Sequence, residues 1–167
     1  MREVTIADHA AVHAVVRAAF GRPDEADLVA ALRADPAYRP ALELVAEDRD
    51  AIVGHVMLTA ATIDGGGGEA LALAPLAVVP ARQGRGIGAA LVRTVLARAA
   101  EPAHRPDSDM VVVVGDPRYY ARFGFRPGVQ LGLAPPVPEW GPAFQALALP
   151  LPGPPRVVRY APPFDAC

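Results

Sequence analysis

Gln83-Gly84-Arg85-Gly86-Ile87-Gly88 places three glycines in five positions between an apolar run, Ala70 to Val79, and an amphipathic run, Ala89 to Ala100. Strand, glycine-rich turn, helix is an order that leaves several backbone N–H groups unpaired at a helix N-terminus and aimed outward. The helix dipole adds partial positive charge at the same place, so the turn suits an anion. Glycine matters here because a Cβ would hold a phosphate away from the backbone. The spacing therefore predicts a bound diphosphate, with Arg82 and Arg85 beside it as further positive charge.

Three kinds of phosphate loop compete for this stretch. A Walker A loop needs a lysine, and all 16 basic residues of the chain are arginine. The dinucleotide fingerprint is formally met by Gly84-x-Gly86-x-x-Ala89, but it calls for an acidic residue about 20 residues on, at the end of the next strand. Here the next strand ends near Asp116, too far away. The third pattern, Gln/Arg-x-x-Gly-x-Gly/Ala, is satisfied by Gln83, Gly86 and Gly88. With Leu76-Ala77-Val78-Val79-Pro80 ahead of the turn and Tyr120-Ala121-Arg122-Phe123-Gly124-Phe125 downstream, the chain resembles the GNAT superfamily of acetyl-CoA-dependent N-acetyltransferases. The resemblance runs from Glu3 to about Phe125. One departure is Gly115-Asp116-Pro117, which stands where many members carry an asparagine ahead of the tyrosine.

The resemblance implies acetyl-CoA as cosubstrate, no metal, and direct transfer of the acetyl group to an amine acceptor, a small molecule or a peptide or protein. By the family pattern, the amides around Gln83, Gly84, Arg85, Gly86, Gly88 and Ala89 hold the CoA diphosphate. Backbone groups of Val78 and Val79 line the pantetheine slot, with the Val78 amide beside the thioester carbonyl, where an N–H stabilises a developing oxyanion. Tyr120 aligns with the general acid that protonates the departing thiolate, and a phenol of pKa about 10 suits a thiol. For the base that must neutralise the amine, Glu69 and His55 are the candidates, with Glu139 behind them. The acceptor side offers Phe20, Trp140 and Phe144. Family members commonly pair as homodimers. A rival reading is a CoA-binding sensor that has lost turnover, and Tyr120 discriminates, since a pure binder has no chemical need of it.

These residues need elements to position them. Glu3 to Ala7 reads as a strand, Asp8 as the cap of a helix through Phe20, and Asp24 to about Arg33 as a second helix stopped by Asp35-Pro36. Leu42 to Glu47 and Ala51 to Ile63 form a hairpin across Asp48-Arg49-Asp50. Gly65 to Gly68 is a flexible connection to a central strand, Glu69 to Val79, apolar enough to be covered on both faces. Pro75 within that strand cannot donate a ladder hydrogen bond, so an irregularity is expected there. Met110 to Val114 follows a helix and so runs parallel to the central strand. Pro117 opens a short helix through Phe123, closed by Gly124. Strands at Phe144 to Leu149 and Val157 to Tyr160 complete the pattern. Residues 1–167 thus read as one α/β domain of the α+β type. It has a core over 3–125, and proline-rich strands over 126–167 complete the sheet and acceptor site. The resemblance adds a mixed, mostly antiparallel sheet with a central splayed parallel strand pair, flanked by helices.

Composition narrows the functions further. The 167 residues carry a net charge of -2, which gives no basic field for nucleic acid. Without lysine there is no Schiff base, lysine base or self-acetylation on lysine. The single cysteine, Cys167, permits no intrachain disulfide, in keeping with a reducing, cytoplasmic setting. The apolar stretch Ala70 to Ala81 is too short to span a bilayer, so no membrane partner is expected. The histidines are scattered without ligand spacing, so no metal site is expected.

Overall fold

Two helices, three successive strands and a third helix follow one another along this chain, and the computed structural model describes residues 1–66, 68–104, 106, 110–147 and 156–162. Strand β1 is only Arg2–Glu3. The longer strand expected through Ala7 is cut short because the Asp8 carboxylate turns back, accepting from the Thr5 N–H and hydroxyl at 2.7 Å each. Arg2 donates to the same carboxylate at 2.6 and 2.8 Å. Asp8 therefore locks the entry to helix α1 (His9–Phe20) rather than capping its first amides. Helix α2 (Asp24–Arg33) opens with Asp24, Glu25 and Asp27 in its first turn, where negative charge complements the dipole.

Strands β2 (Tyr38–Asp48) and β3 (Ala51–Ile63) form the expected hairpin. Arg49 and Asp50 both adopt positive φ at its tip, the backbone that a tight two-residue hairpin turn requires. Strand β2 begins four residues earlier than the sequence indicates. Its ladder slips between Tyr38 and Glu43, around Pro40, which has no N–H to donate. Strand β4 (Gly68–Val78) is the central one. Opposite it, Val56 pairs with Leu76 and Leu58 with Leu73, so β4 accommodates one extra residue at Ala74–Pro75. The irregularity expected at Pro75 is this bulge.

Helix α3 (Ile87–Ala99) carries the chain across to β5 (Val111–Val114), which pairs parallel to β4. The parallel ladder is short: Leu71, Ala72 and Leu73 against Val111, Val112 and Val113. Beyond Leu73 the two strands part, and β4 continues to Val78 with no β5 partner. Helix α4 (Pro117–Tyr120) and a short turn to Phe123 follow, closed by Gly124. Strands β6 (Arg126–Pro127), β7 (Leu133–Ala134), β8 (Phe144–Leu147) and β9 (Arg156–Arg159) finish the described chain. The last two positions of the strand expected at Phe144 to Leu149 lie outside the described residues, as do Gly67 and Cys167.

The strand order is β1-β2-β3-β4-β5-β8-β6, with β9 beside both β3 and β7. In the main run the neighbours are antiparallel except β4 and β5; the short β7 and β9 also pair parallel. Two apolar layers hold helices on opposite faces. Leu91, Val92, Val95 and Ala99 of α3 bury against Leu44, Val56, Leu58 and Val113. Val12, Val15 and Val16 of α1, with Val29 and Leu32 of α2, bury against Val45, Met57 and Ala77. Each fully buried aliphatic side chain of this kind contributes roughly 1.5–3 kcal/mol. A third cluster, including Met110, Leu131, Leu133 and Phe144, closes the far end of the sheet. Parting β4 from β5 therefore opens a slot between two helix-covered faces.

Candidate functional site

The turn after β4 folds as its glycines demand. Gly84 and Gly86 have φ of 73° and 80°, in the left-handed region where a Cβ is strained. The Gln83 amide closes a short turn onto Pro80 at 3.2 Å, and the Ala90 amide starts the helix on the Gly86 carbonyl at 2.9 Å. Between them, the amides from Gly84 to Ala89 donate to no backbone carbonyl. They stand at the N-terminus of a 13-residue helix, so their partial charges and the dipole act together. These amides form a cradle open to a hydrogen-bond acceptor at the position where the spacing places an anion.

A cavity of about 330 Å³ lies against the cradle. Val78, Gln83, Gly84, Gly86, Gly88 and Ala89 line it, and six of the eight expected cosubstrate residues are thereby brought together. Arg85 and Val79 are not. Arg85 points to solvent. The Val79 amide donates to Val53 at 3.0 Å and its carbonyl accepts from the Arg82 amide at 2.8 Å, so its N–H is not left for a ligand. Because N–H direction alternates along a strand, the Val78 amide points the other way, to the side where β5 has departed. The Val78 carbonyl on that side accepts from the Gln83 amide group at 3.0 Å, which leaves the Val78 N–H as the group aimed into the slot. Arg82 lines the cavity but is paired with Asp48 at 2.8 Å.

Sequence reasoning gave no site role to four lining residues, Leu76, Ile87, Tyr119 and Arg122. Ile87 contributes an apolar wall, and Arg122 brings charge. Arg122 sits over the Tyr119 ring, 4.7 Å from its centroid, which holds the guanidinium at the cavity mouth. The signal was present inside the Tyr-x-x-x-Gly-Phe stretch, but a helical arginine there reads equally well as solvated.

A second cavity, of about 400 Å³, adjoins the first; Leu76 and Tyr119 line both. It fills the gap between β4 and β5. Leu73 to Leu76 form one side, Val114 to Asp116 with Tyr120 the other, and Phe20, Glu25 and Leu28 reach it from α1 and α2. The slot thus joins the α3 face of the sheet to the α1–α2 face. Tyr120 is 8% exposed and burial pushes its phenol well above the usual tyrosine range, with neighbouring Tyr119 adding to the shift. Any tyrosine is protonated at neutral pH; this shift makes Tyr120 a weaker acid than the ordinary phenol that would match a thiol. Gly115 lets the Tyr120 ring lie directly on the backbone: a Cβ there would stand 2.4 Å from Tyr120 Cε2. This explains the departure at Gly115-Asp116-Pro117. Glycine receives the ring, Asp116 accepts the Arg118 amide at 2.9 Å as the cap of α4, and Pro117 opens the helix.

The residues expected as base are placed elsewhere. His55 is fully buried under α1 and α2, with Nε2 2.8 Å from the Glu43 carboxylate. Burial pushes its pKa down, and the nearby Glu43 only partly offsets this, so the ring is neutral. Glu43 also receives Arg33 Nε at 3.1 Å and the Tyr38 hydroxyl at 2.6 Å. Burial alone would raise the Glu43 pKa, yet the bonds from His55, Arg33 and Tyr38 hold it down at about 2. This quartet ties α2 to β2 and β3. Glu69 sits at the opposite end of β4 from the cradle, paired with Arg39 at 2.7 Å. Glu139 is exposed and lines neither cavity. Of the aromatic residues expected on the acceptor side, Phe20 is there, whereas Phe144 is core and Trp140 packs edge-on to Tyr160 at 5.7 Å. Among the described residues no three His, Cys, Asp or Glu side chains group as a metal site, and no helix is long and apolar enough to cross a membrane.

Comparison with known proteins gives this geometry its setting. A family model of the acetyltransferase (GNAT) domain matches residues 40–127. YjhQ of Escherichia coli K12, described as an uncharacterized N-acetyltransferase, is 42% identical over 122 residues, which is 72% of this chain and 65% of YjhQ. The chain thus spans just under two thirds of that relative. The crystal structure of YhbS from E. coli in complex with CoA is similar with a TM-score of 0.87 at 30% identity, covering 98% of this chain and 90% of YhbS. A GNAT family acetyltransferase from Brucella melitensis, in complex with acetyl-CoA, is similar with a TM-score of 0.77 at 34% identity, covering 98% and 96%.

Proposed function

Because the chain belongs to the GNAT acetyltransferase family, we propose that it transfers an acetyl group from acetyl-CoA directly to the nitrogen of a primary amine. The observation that carries this reading is that the cradle and the slot adjoin, sharing Leu76 and Tyr119. One end presents unpaired amides from Gly84 to Ala89 to a diphosphate, and the other ends on a protonated tyrosine. A molecule with a diphosphate at one end and a thioester at the other matches both requirements.

On this reading the chain's groups divide the work. The cradle amides and Arg122 hold the diphosphate, and Ile87 and Leu76 wall the thread leading from it. The Val78 N–H lies where the thioester oxygen gathers charge as the amine adds, and a donor fixed in advance stabilises that oxyanion. Collapse breaks the C–S bond and expels a thiolate. Tyr120, a neutral phenol in the slot, gives it a proton. No side chain forms a covalent intermediate.

The test is thiol release from acetyl-CoA over a panel of primary amines, with the Tyr120→Phe variant alongside. Turnover that falls about 10²- to 10⁴-fold in the variant, with acetyl-CoA affinity intact, supports the assignment. Binding of acetyl-CoA without acetyl transfer to any amine would make the protein a CoA-binding module instead.

A further inference from the structure

Glu25 is the carboxylate of the second cavity that the mechanism has not used. We infer that Glu25 receives the acceptor's ammonium group and takes its proton, and that the acceptor is a primary amine on an apolar body. This rests on the acetyl-transfer reading above and names the acceptor side of the same site.

The cavity holds two carboxylates, and their surroundings differ. Asp116 is fully committed. Its oxygens accept from the Arg118 amide and guanidinium at 2.9 to 3.2 Å, and its backbone carbonyl starts α4. Moving it would unseat Tyr120. Glu25 projects from the first turn of α2 with its side chain only 13% exposed, against 48% for Asp116. Its partner is Arg22, a side chain 61% exposed that also lies 3.6 Å from Asp24. An incoming ammonium can therefore take Arg22's place on Glu25 while Arg22 turns fully to Asp24. No charge is left unpaired, so the exchange avoids the large penalty of an isolated buried ion. Helix α2 is a fixed platform for this, because Arg33 at its other end is held by buried Glu43.

The rest of the cavity decides the acceptor's body. Phe20 and Leu28 line the cavity with Glu25 from the helix side, and Leu73 and Leu76 contribute apolar surface from β4. Apolar walls around Glu25 favour a single positive charge on a hydrophobic frame over a polyamine, because the cavity's other carboxylate, Asp116, is already bridged by Arg118.

The proton balance closes with these groups. Glu25 takes one proton from the ammonium and passes it to solvent at its exposed edge. The neutral nitrogen adds to the thioester carbon, forming the C–N bond. As the C–S bond breaks, the thiolate takes the Tyr120 proton. The remaining excess proton on nitrogen, acidified by acylation, restores the Tyr120 phenol. The products are the acetamide, free CoA thiol and one released proton.

The experiment measures thiol release with 2-phenylethylamine and with spermidine as acceptors, at saturating acetyl-CoA, across pH 5.5–9.5 for the wild type, Glu25→Gln and Glu25→Asp. Calorimetric binding of acetyl-CoA to each variant and its thermal melt serve as checks on folding. The expected result is higher kcat/KM for 2-phenylethylamine than for spermidine in the wild type. Glu25→Gln should lower kcat/KM at least about 100-fold, with acetyl-CoA affinity unchanged and Glu25→Asp recovering part of the loss. A loss under about 10-fold overturns the role of Glu25. Faster turnover of spermidine overturns the apolar acceptor while leaving acetyl transfer standing. Failure of the wild type with both amines and with every member of the wider panel overturns the acetyl-transfer reading itself.

Discussion

Replacing Gly115 with alanine tests whether Tyr120 acts chemically or merely packs. The added Cβ would lie 2.4 Å from Cε2 and 3.1 Å from Cδ2 of the Tyr120 ring. Carbon atoms prefer about 3.5–4.0 Å, so the ring must retreat by a little over 1 Å. It cannot do so freely, since Tyr119 stands edge-on at 5.1 Å and Phe125 at 5.7 Å. Overpacking of this kind costs about 1–3 kcal/mol, and for a chain of this size each of those kcal/mol lowers Tm by about 2–4 °C. A displacement of about 1 Å at a reacting group lowers kcat by about 10²-fold. The assay is a double-mutant cycle on thiol release, with Gly115→Ala, Tyr120→Phe and the pair. Phenylalanine suffers the same clash, so the loss of Tm should recur in the pair, whereas the loss of kcat should shrink to about 3-fold or less, because no proton donor remains to be misplaced. An equal kinetic loss in both backgrounds, or none in either, would refute the reasoning.

Three further outcomes are expected. Gly86→Ala should weaken acetyl-CoA binding about 10- to 100-fold by calorimetry. Alanine disfavours the φ of 80° that aims the following amides, and nothing in the fold contacts its Cβ, so the loss of stability should stay near 1–2 kcal/mol. Arg122→Met should weaken acetyl-CoA about 5- to 10-fold and reduce the salt dependence of what remains, since the lost group is a partly solvated charge. Stability should fall with acid in two stages. His55 is held neutral in the fold by burial, so below its unfolded pKa near 6.5 the unfolded chain alone gains a proton. Each pH unit then removes about 1.4 kcal/mol. Glu43, held at about 2 against an ordinary 4.5, contributes stability that is intact above pH 4.5 and is lost as pH falls toward 2. Denaturant melts of His55→Gln should lack the first stage, and their persistence unchanged would contradict the buried neutral ring.

Features set by local chemistry could be read directly from the chain. Three glycines between an apolar and an amphipathic run fix the cradle, and the limits of β3 and α2 follow from their flanking turn and cap residues. The helix between β4 and β5 forces their parallel pairing. What escaped was decided by distant pairing. The early start of β2 depends on a bulge opposite β3 that no local pattern encodes. His55 reads as a candidate base until Glu43, on another strand, claims it. Val79 reads as a ligand contact until Val53 takes its amide. Glu25 reads as one of three acids in a helix's first turn, and only the docking of α2 over the parted strands directs it into a cavity.

Unpaired amides between Gly84 and Ala89 gripping a diphosphate are the premise of every step above, and calorimetry comparing acetyl-CoA with S-acetylpantetheine tests it most directly. The two share the thioester and the thread, and only the first carries the nucleotide diphosphate. Acetyl-CoA should bind at least about 100-fold more tightly, the sum of several charge-assisted bonds at a helix N-terminus. Equal affinity for the two, or no heat with acetyl-CoA, would contradict it.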